Sequence, residues 1–364
     1  MAYTMEERCR IWLSQADMGS RKIGRLLAVY GSAEAVWEAF SPAMGKALGE
    51  ASGRMLAQHR DAGVMERSEA DMEKLGVSAL FPGDGLYPPL LTNISGPPPV
   101  LYALGDPSIL RGRVMALVGT RTPSRYGREA AFSLGKELGR RGVTVVSGFA
   151  RGIDTAAHSG CLAGGGKTAA VLGCGLDVTY PPENEELRRS LLDAGGLLLS
   201  EYPLGTKPAN YHFPDRNRIL SGVSHGVALL EGRLKSGGMI TVTHALDQGR
   251  EVFALPGPVN REGAEAPNRL LREGARPVTC AGDILEDMGW EDAAPPFVPG
   301  VPGPDIPGRE KIEALLRRED MTFEELVQAL SMDAAPLNSF LTILELAGII
   351  KKSAGNLYSL ADTH

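Results

Sequence analysis

The stretch from residue 114 to residue 154 carries the densest chemical pattern in the chain. Two apolar runs, 114–118 and 143–146, each end in a small-residue turn, Gly119-Thr120 and Ser147-Gly148, and an arginine follows each turn, Arg121 and Arg151. A strand that ends this way before a helix leaves backbone N–H groups and a helix N-terminus open, and both attract anions. One such turn is an ordinary connection with a solvated arginine; two of them, each with a cation, fit a polyanion better than a neutral metabolite. A second constellation, Phe213-Pro214-Asp215-Arg216-Asn217-Arg218, gathers an aromatic ring, two arginines and an amide. Arginines neutralise phosphates, and an exposed ring stacks on an unpaired base for about 1–3 kcal/mol. The competing reading packs Phe213 in the core and pairs the arginines with Glu201 or Glu231, with Arg216 as a structural residue. A third group, Lys235-Ser236-Gly237-Gly238, opens a helix with free amides and a hydroxyl.

Other motifs match familiar chemistry by letter and fail on context. Gly164-Gly165-Gly166-Lys167-Thr168 resembles a phosphate-binding loop, but it lacks the required earlier glycine, where Cys161 stands, and it precedes a strand instead of following one. Residues 222–226 spell GxSxG but lead into a strand, which suits a helix-ending turn and not a nucleophile elbow. Asp154 and His158, four apart, could face one another as a metal or acid–base pair; the plainer reading makes Asp154 a helix cap and His158 a satisfied interior group. Gly173-Cys174-Gly175 lacks the third glycine of a dinucleotide fingerprint. No nucleophile, base and oxyanion donors converge, so no catalytic residue, cofactor or metal is expected.

These groups need a scaffold, and the apolar runs describe one. Runs at 114–118, 143–146, 168–172, 196–200, 227–230, 251–255 and 277–279 alternate with helical segments such as 127–140 and 236–248. Continuous apolar runs suit strands covered on both faces, so the expectation is an α/β fold with a doubly wound, extended Rossmann-like parallel sheet. Residues 1–72 show helical spacing punctuated by Gly19, Gly24 and Gly31, like small modules that touch DNA backbone, or equally a helical cap. Residues 73–110 are rich in proline and glycine and read as a connection leading into the α/β domain, with short apolar runs at 78–81 and 100–104. The domain division expected is therefore 1–72 helical (SAM/helix-hairpin-helix-like), 73–290 α/β, 291–309 a proline-rich linker, and 310–364 a winged helix. The last rests on helices at 310–317, after Thr322 and over 336–347, and on a hairpin over 349–360 with Gly355-Asn356 at its turn.

Composition limits the partners. The net charge of −6 over 364 residues rules out a polycation, so any nucleic-acid site is a local patch. Residues 121–151 hold seven cations against two acids, a net of +5, and residues 205–235 hold five against two, a net of +3. Cys9, Cys161, Cys174 and Cys280 are far apart and form no CxxC, which fits a reducing cytoplasm. The first residues carry acids and no long apolar run, unlike a signal peptide, and no apolar stretch approaches the about 20 residues needed to span a bilayer.

Taken in order, VGTR at 118–121, SGFARGIDTAAH at 147–158, Gly173 to Asp177 with Tyr180-Pro181, Ser200-Glu201, FPDRNR at 213–218, Glu231 with SGGMIT at 236–241, Gly249-Arg250, Leu255-Pro256-Gly257 and Glu273-Gly274-Ala275 resemble the DNA-processing protein A (DprA/Smf) family. The resemblance covers about residues 8–290, and the tail is like the winged helix of many members. It implies a cytoplasmic, non-enzymatic homodimer that binds incoming single-stranded DNA, protects it and loads the RecA recombinase during natural transformation. The DNA-binding residues it implies are Gly119, Thr120, Arg121, Ser147, Gly148, Arg151, Phe213, Arg216, Asn217, Arg218, Lys235, Ser236, Gly237 and Gly238. Thr120 replaces the family's usual serine, and Ala266-Pro267 stands where a glycine is usual.

Two other readings compete. A nucleotide-processing hydrolase of the lysine-decarboxylase-like Rossmann group needs a PGGxGTxxE signature, which neither 256–258 nor 237–238 supplies. A duplex-reading transcription factor needs a basic recognition helix, whereas residues 336–347 carry Glu345 and no cation.

Overall fold

The computed structural model describes residues 3–290, 309–317, 319–330, 332, 334–346, 350–353 and 357–360. The chain forms two compact units, Met1–Pro296 and Phe297–His364.

The first unit begins with six helices, α1 (Met5–Ser14), α2 (Ser20–Tyr30), α3 (Ala33–Ala39), α4 (Pro42–Leu48), α5 (Glu50–His59) and α6 (Ala62–Leu75). Short polar side chains start several of them: Thr4, Ser32, Ser41 and Asp61 each accept a first-turn N–H. Buried Trp12 organises their small core, edge-on to Trp37 and Phe40, and donates its indole N–H to Leu56 O at 2.9 Å. Buried Ser14 shares a 2.7 Å hydrogen bond with the Tyr102 hydroxyl and so ties α1 to the sheet that follows.

That sheet runs through β1 (Val77–Leu80), β2 (Leu101–Gly105), β3 (Val114–Val118), α7 (Arg125–Arg140), β4 (Thr144–Ser147), α8 (Ile153–Ala163), β5 (Thr168–Val171), α9 (Glu185–Asp193), β6 (Leu197–Ser200), α10 (His212–Gly222), β7 (Gly226–Leu229), α11 (Gly237–Asp247), β8 (Glu251–Ala254), α12 (Glu265–Arg272), β9 (Arg276–Pro277) and α13 (Ala281–Asp287). The spatial order is β1-β2-β6-β5-β4-β3-β7-β8-β9. Strands β3 to β9 are parallel, as the apolar runs predict. The runs at 78–81 and 100–104 are more than a connection. They form β1 and β2: β2 pairs antiparallel with β6, with Tyr102 opposite Ser200, and β1 pairs antiparallel with β2 at the sheet edge.

Both faces are covered. Ala116, Val146, Val171, Leu199 and Val227 face α10, α11 and α12, while Met115, Leu117, Val145 and Phe253 face α7, α8 and α13. This is the period-two alternation of strands buried on both sides. From β3 the chain winds outward through β4, β5 and β6, then returns to place β7 on the other side of β3. The carboxyl end of β3 is therefore a topological switch point, where helices on opposite faces part and leave a crevice.

Two glycines of the phosphate-loop look-alike, Gly164 and Gly166, serve packing, as does Gly160 before it. A Cβ on Gly164 would sit 2.1 Å from Lys136 O, and one on Gly160 would sit 2.1 Å from Phe132 O, so α7 and α8 meet backbone to backbone. Residues 222–226 form the turn that ends α10 and leads into β7.

The second unit contains α14 (Arg309–Leu316), β10 (Met321–Thr322), α15 (Phe323–Leu330), α16 (Ala334–Leu346), β11 (Ile350–Ser353) and β12 (Leu357–Leu360). Ile312, Leu326, Leu337, Leu341, Leu344 and Tyr358 make its core. Thr322 and Glu325 form the expected reciprocal cap: Thr322 N–H donates to Glu325 Oε2 (2.7 Å), and Glu325 N–H donates to Thr322 Oγ1 (3.4 Å). Strands β11 and β12 pair as the expected hairpin and β10 adds a third strand. The expected turn at Gly355-Asn356 and the linker residues 291–308 lie outside the described residues. No helix among the described residues is long and apolar enough to cross a membrane.

Candidate functional site

A groove of about 500 Å³ opens at the switch point. Its first wall is the turn after β3. Thr120 N–H donates to Glu231 O (2.8 Å), and Ile153 N–H donates to Thr120 O (3.2 Å), which pins the turn between the end of β7 and the start of α8. The buried Glu231 carboxylate accepts from Ser124 N–H (2.8 Å) and Ser124 Oγ–H (2.5 Å), so it also fixes the start of α7. Arg121 is exposed, with its guanidinium carbon 5.3 Å from the centre of the Phe213 ring. Such a cation–π contact at an exposed site is worth about 0.5–1 kcal/mol.

Phe213 stands at the start of α10, half-buried, stacked on Tyr180 with centroids 5.5 Å apart. The ring is thus neither a core residue nor a free platform; it holds Arg121 at the groove edge. Three residues on, Arg216 forms the floor. It is 5% exposed, donates Nη1 to Gly148 O (2.7 Å) and also reaches Val171 O, the ends of β4 and β5. Asp154 lies beside it, buried in the first turn of α8, and accepts Ala150 N–H at 3.1 Å. Burial pushes the Asp154 carboxyl up, and the Arg216 charge opposes that rise. Gly148 separates the two groups: a Cβ there would sit 2.6 Å from Arg216 Nη2 and 2.8 Å from Asp154 Oδ2.

The third wall is the start of α11. Asn217 Nδ2 donates to Gly237 O (3.1 Å) and clamps α10 to α11. Ser236 occupies the cap position without making a capping bond, and its Oγ has no partner. The N–H groups of Gly237 and Gly238 therefore remain available, while Met239 N–H donates to Ser236 O (3.1 Å), and the helix dipole adds partial positive charge. The groove combines an exposed cation, a buried cation, open amides and an aromatic edge. It can hold a phosphate and a stacked ring together.

Gly119, Thr120, Arg121, Gly148, Phe213, Arg216, Asn217, Ser236, Gly237 and Gly238 line this groove. The other expected residues do not. Ser147 is fully buried and donates its Oγ–H to Leu117 O (2.6 Å). Arg151 is exposed, but it pairs with Glu183 at 2.5 Å away from the groove. Lys235 is exposed outside the lining. Arg218, two residues after Arg216 on one helix, points to the other side of α10 and pairs with Glu201, one of the partners weighed from sequence. Asp154, weighed from sequence only with His158, Thr241, noted only within SGGMIT, and Asn210, not singled out at all, also line the groove.

Asp154 neither caps α8 nor meets His158. The cap position is Gly152, and His158 is buried with Nδ1 2.7 Å from Thr168 Oγ1. The Thr168 hydroxyl gives its hydrogen to Val145 O (2.6 Å), so His158 Nδ1 is the donor to Thr168. Burial, with Arg216 nearby, pushes the His158 pKa down to about 3. Among the described residues no group of three or more His, Cys, Asp or Glu could hold a metal ion. Cys9, Cys161, Cys174 and Cys280 are free.

A doubly wound sheet with a crevice of open amides and cations at its switch point defines a Rossmann-like α/β protein. The profile of the DNA recombination-mediator protein A family matches residues 78–289, and the chain belongs to that family. It is 45% identical over 210 residues to Protein Smf of Escherichia coli (strain K12), covering 57% of this chain and 56% of that relative, so the match spans about half of the relative's length. It is 41% identical over 225 residues to DNA processing protein DprA of Bacillus subtilis (strain 168), covering 62% of this chain and 75% of that one. With Protein Smf of Synechocystis the identity is 31%, but coverage reaches 95% and 96%. The X-ray structure of DprA from Streptococcus pneumoniae superimposes with a TM-score of 0.64 at 32% identity, covering 79% of this chain and 99% of that one. DprA from Helicobacter pylori, whose structure is described for its single-stranded DNA binding mode, gives a TM-score of 0.53 at 30% identity over 58% of this chain and 95% of that one.

Proposed function

We propose that the groove binds single-stranded DNA and that the protein is a recombination mediator, one that protects incoming strands and loads RecA during natural transformation. The observation that carries this reading is the edge formed by Arg121 over Phe213, facing the uncapped start of α11. A duplex hides the faces of its bases, whereas a single strand offers a base to stack on the exposed Arg121 guanidinium over Phe213 and a phosphate to the buried cation and amides beside it. The protein works in the cytoplasm by binding, not by catalysis, as a homodimer built through the α/β domain. The second unit is a winged helix that contacts a protein or regulates the first unit. Its α16 carries Glu345 and no lysine or arginine, which suits a protein contact better than a phosphate contact.

The test is a binding titration with single- and double-stranded oligonucleotides of one sequence across salt concentrations. Binding should favour the single strand, with a log–log salt slope of about −0.7 per phosphate neutralised. A flat salt response, or tighter binding to duplex, would overturn the reading.

A further inference from the structure

On the far side of α10 from the groove lies a cleft of about 470 Å³, between the start of α2 and the sheet. Arg218 and Glu201 line it, with side chains 10% and 8% exposed, joined as an ion pair. Ser20, on α2, completes the cluster: its Oγ accepts from Arg218 Nη2 (3.1 Å) and donates to Glu201 Oε2 (2.7 Å). The remaining atoms of the pair, Arg218 Nη1 and Glu201 Oε1, have no partner. A buried donor and a buried acceptor left unmade in one salt bridge are costly, and a ligand that supplies both complements relieves that cost.

The surroundings narrow the ligand. Arg21, Lys22 and Arg218 are balanced by Asp17, Glu201 and Asp215, so the cleft has no net charge to select a free anion. The unpartnered donor and acceptor belong to two lining residues, with Tyr202 in the same lining, which suits a flat neutral group with both functions on one edge. At its mouth α2 starts on Gly19 without a side-chain cap, and exposed Arg21 and Lys22 have no ion-pair partner among the described residues. Open amides and two free cations suit a phosphate that stays outside. A base inside with its phosphate at the rim is a nucleotide.

We propose that this cleft is a second nucleotide site, taking a base of the same strand held in the groove; the proposal rests on the single-strand reading of the groove. Helix α10 is the shared wall. Phe213 and Pro214 line the groove, Tyr211 and Asp215 line the cleft, and Tyr211, 59% exposed at the start of α10, offers a stacking surface two residues from Phe213. The helical layer then takes part in DNA binding.

The full-length protein is titrated with labelled oligothymidylates of about four and about twelve nucleotides, lengths within the span of single-strand sites. The variant carries Arg21→Glu with Lys22→Glu, both exposed, and its melting temperature is checked. Affinity for the longer strand should fall about tenfold while the shorter strand binds as before, and a longer strand made abasic outside the groove-bound segment should lose a similar factor on the parent protein. Unchanged binding of the longer strand, an equal loss at both lengths, or full affinity of the abasic strand each overturns the second site. Arg121→Glu reports on the groove separately: it should weaken both lengths, and if it weakens neither, the groove reading itself fails.

Discussion

The turns after β3 and β4 end neighbouring parallel strands, and each bears an arginine, yet they build their sides of the groove differently. Arg121 of the first turn lies over Phe213 at the groove edge, while Arg151 of the second pairs with Glu183 outside it. The backbone makes the difference. Phe149 (φ 60°) and Gly152 (φ 83°) are left-handed and fold the second turn back, so that Gly148 and the Asp154 carboxylate line the groove in place of the arginine. The cation on that side comes from α10, as Arg216. Equal residue types at equivalent positions thus give one wall with its own cation and one that borrows it.

The hardest test of that borrowing is Arg216→Ala. It leaves Asp154 buried without its countercharge and two strand-end carbonyls without a donor, so stability should fall by about 3–5 kcal/mol, measured by urea unfolding. A loss below about 1 kcal/mol, the range of ordinary substitutions, would show that the second wall stands alone. For binding, Arg121→Glu should reduce single-strand affinity by at least about tenfold without lowering the melting temperature. Arg151→Glu should cost less than about threefold, as befits an exposed ion pair away from the groove. Equal losses would return Arg151 to the site.

A subtler contrast lies behind the second turn, on α8, where His158 is held neutral. Its folded pKa of about 3 is below the ordinary value of 6.5, so the unfolded chain binds a proton that the folded chain refuses. The stability linked to this group is fully present above pH 6.5 and declines as pH falls towards 3. In His158→Asn, unfolding followed from neutral to acid pH should show a shallower decline than the parent. An identical slope would remove His158 from the acid response. The smallest effect is expected from removing the second unit. A chain ending at Trp290, whose carbonyl accepts from Arg113 (2.7 Å), should bind single strands within about twofold of the full chain, and a loss beyond about tenfold would place the second unit in the DNA site.

The parallel strands were legible because strands buried on both faces leave unbroken apolar runs. β1 and β2 were harder to see. They sit among prolines, and their place in the sheet depends on β6, far along the sequence. In the site, the first turn, Phe213 and the start of α11 follow from residue type and position. The two arginines of 213–218 were readable only in part. Once that segment is a helix, residues two apart face opposite ways, so Arg216 and Arg218 cannot share a groove. Nothing local signals that Asp154 turns towards Arg216, because that depends on positive φ at Phe149, a residue that seldom adopts it.

The glycine contacts between α7 and α8 have a mechanical consequence. With Gly160 and Gly164 set against the opposite backbone, the two helices form a plate with no slack, and the second turn is the edge of that plate. The groove is a clamp with one fixed jaw. Adjustment to strands of different sequence falls to the other jaw, the α10 and α11 side, and amide exchange should be slower in α8 than in the first turn of α11.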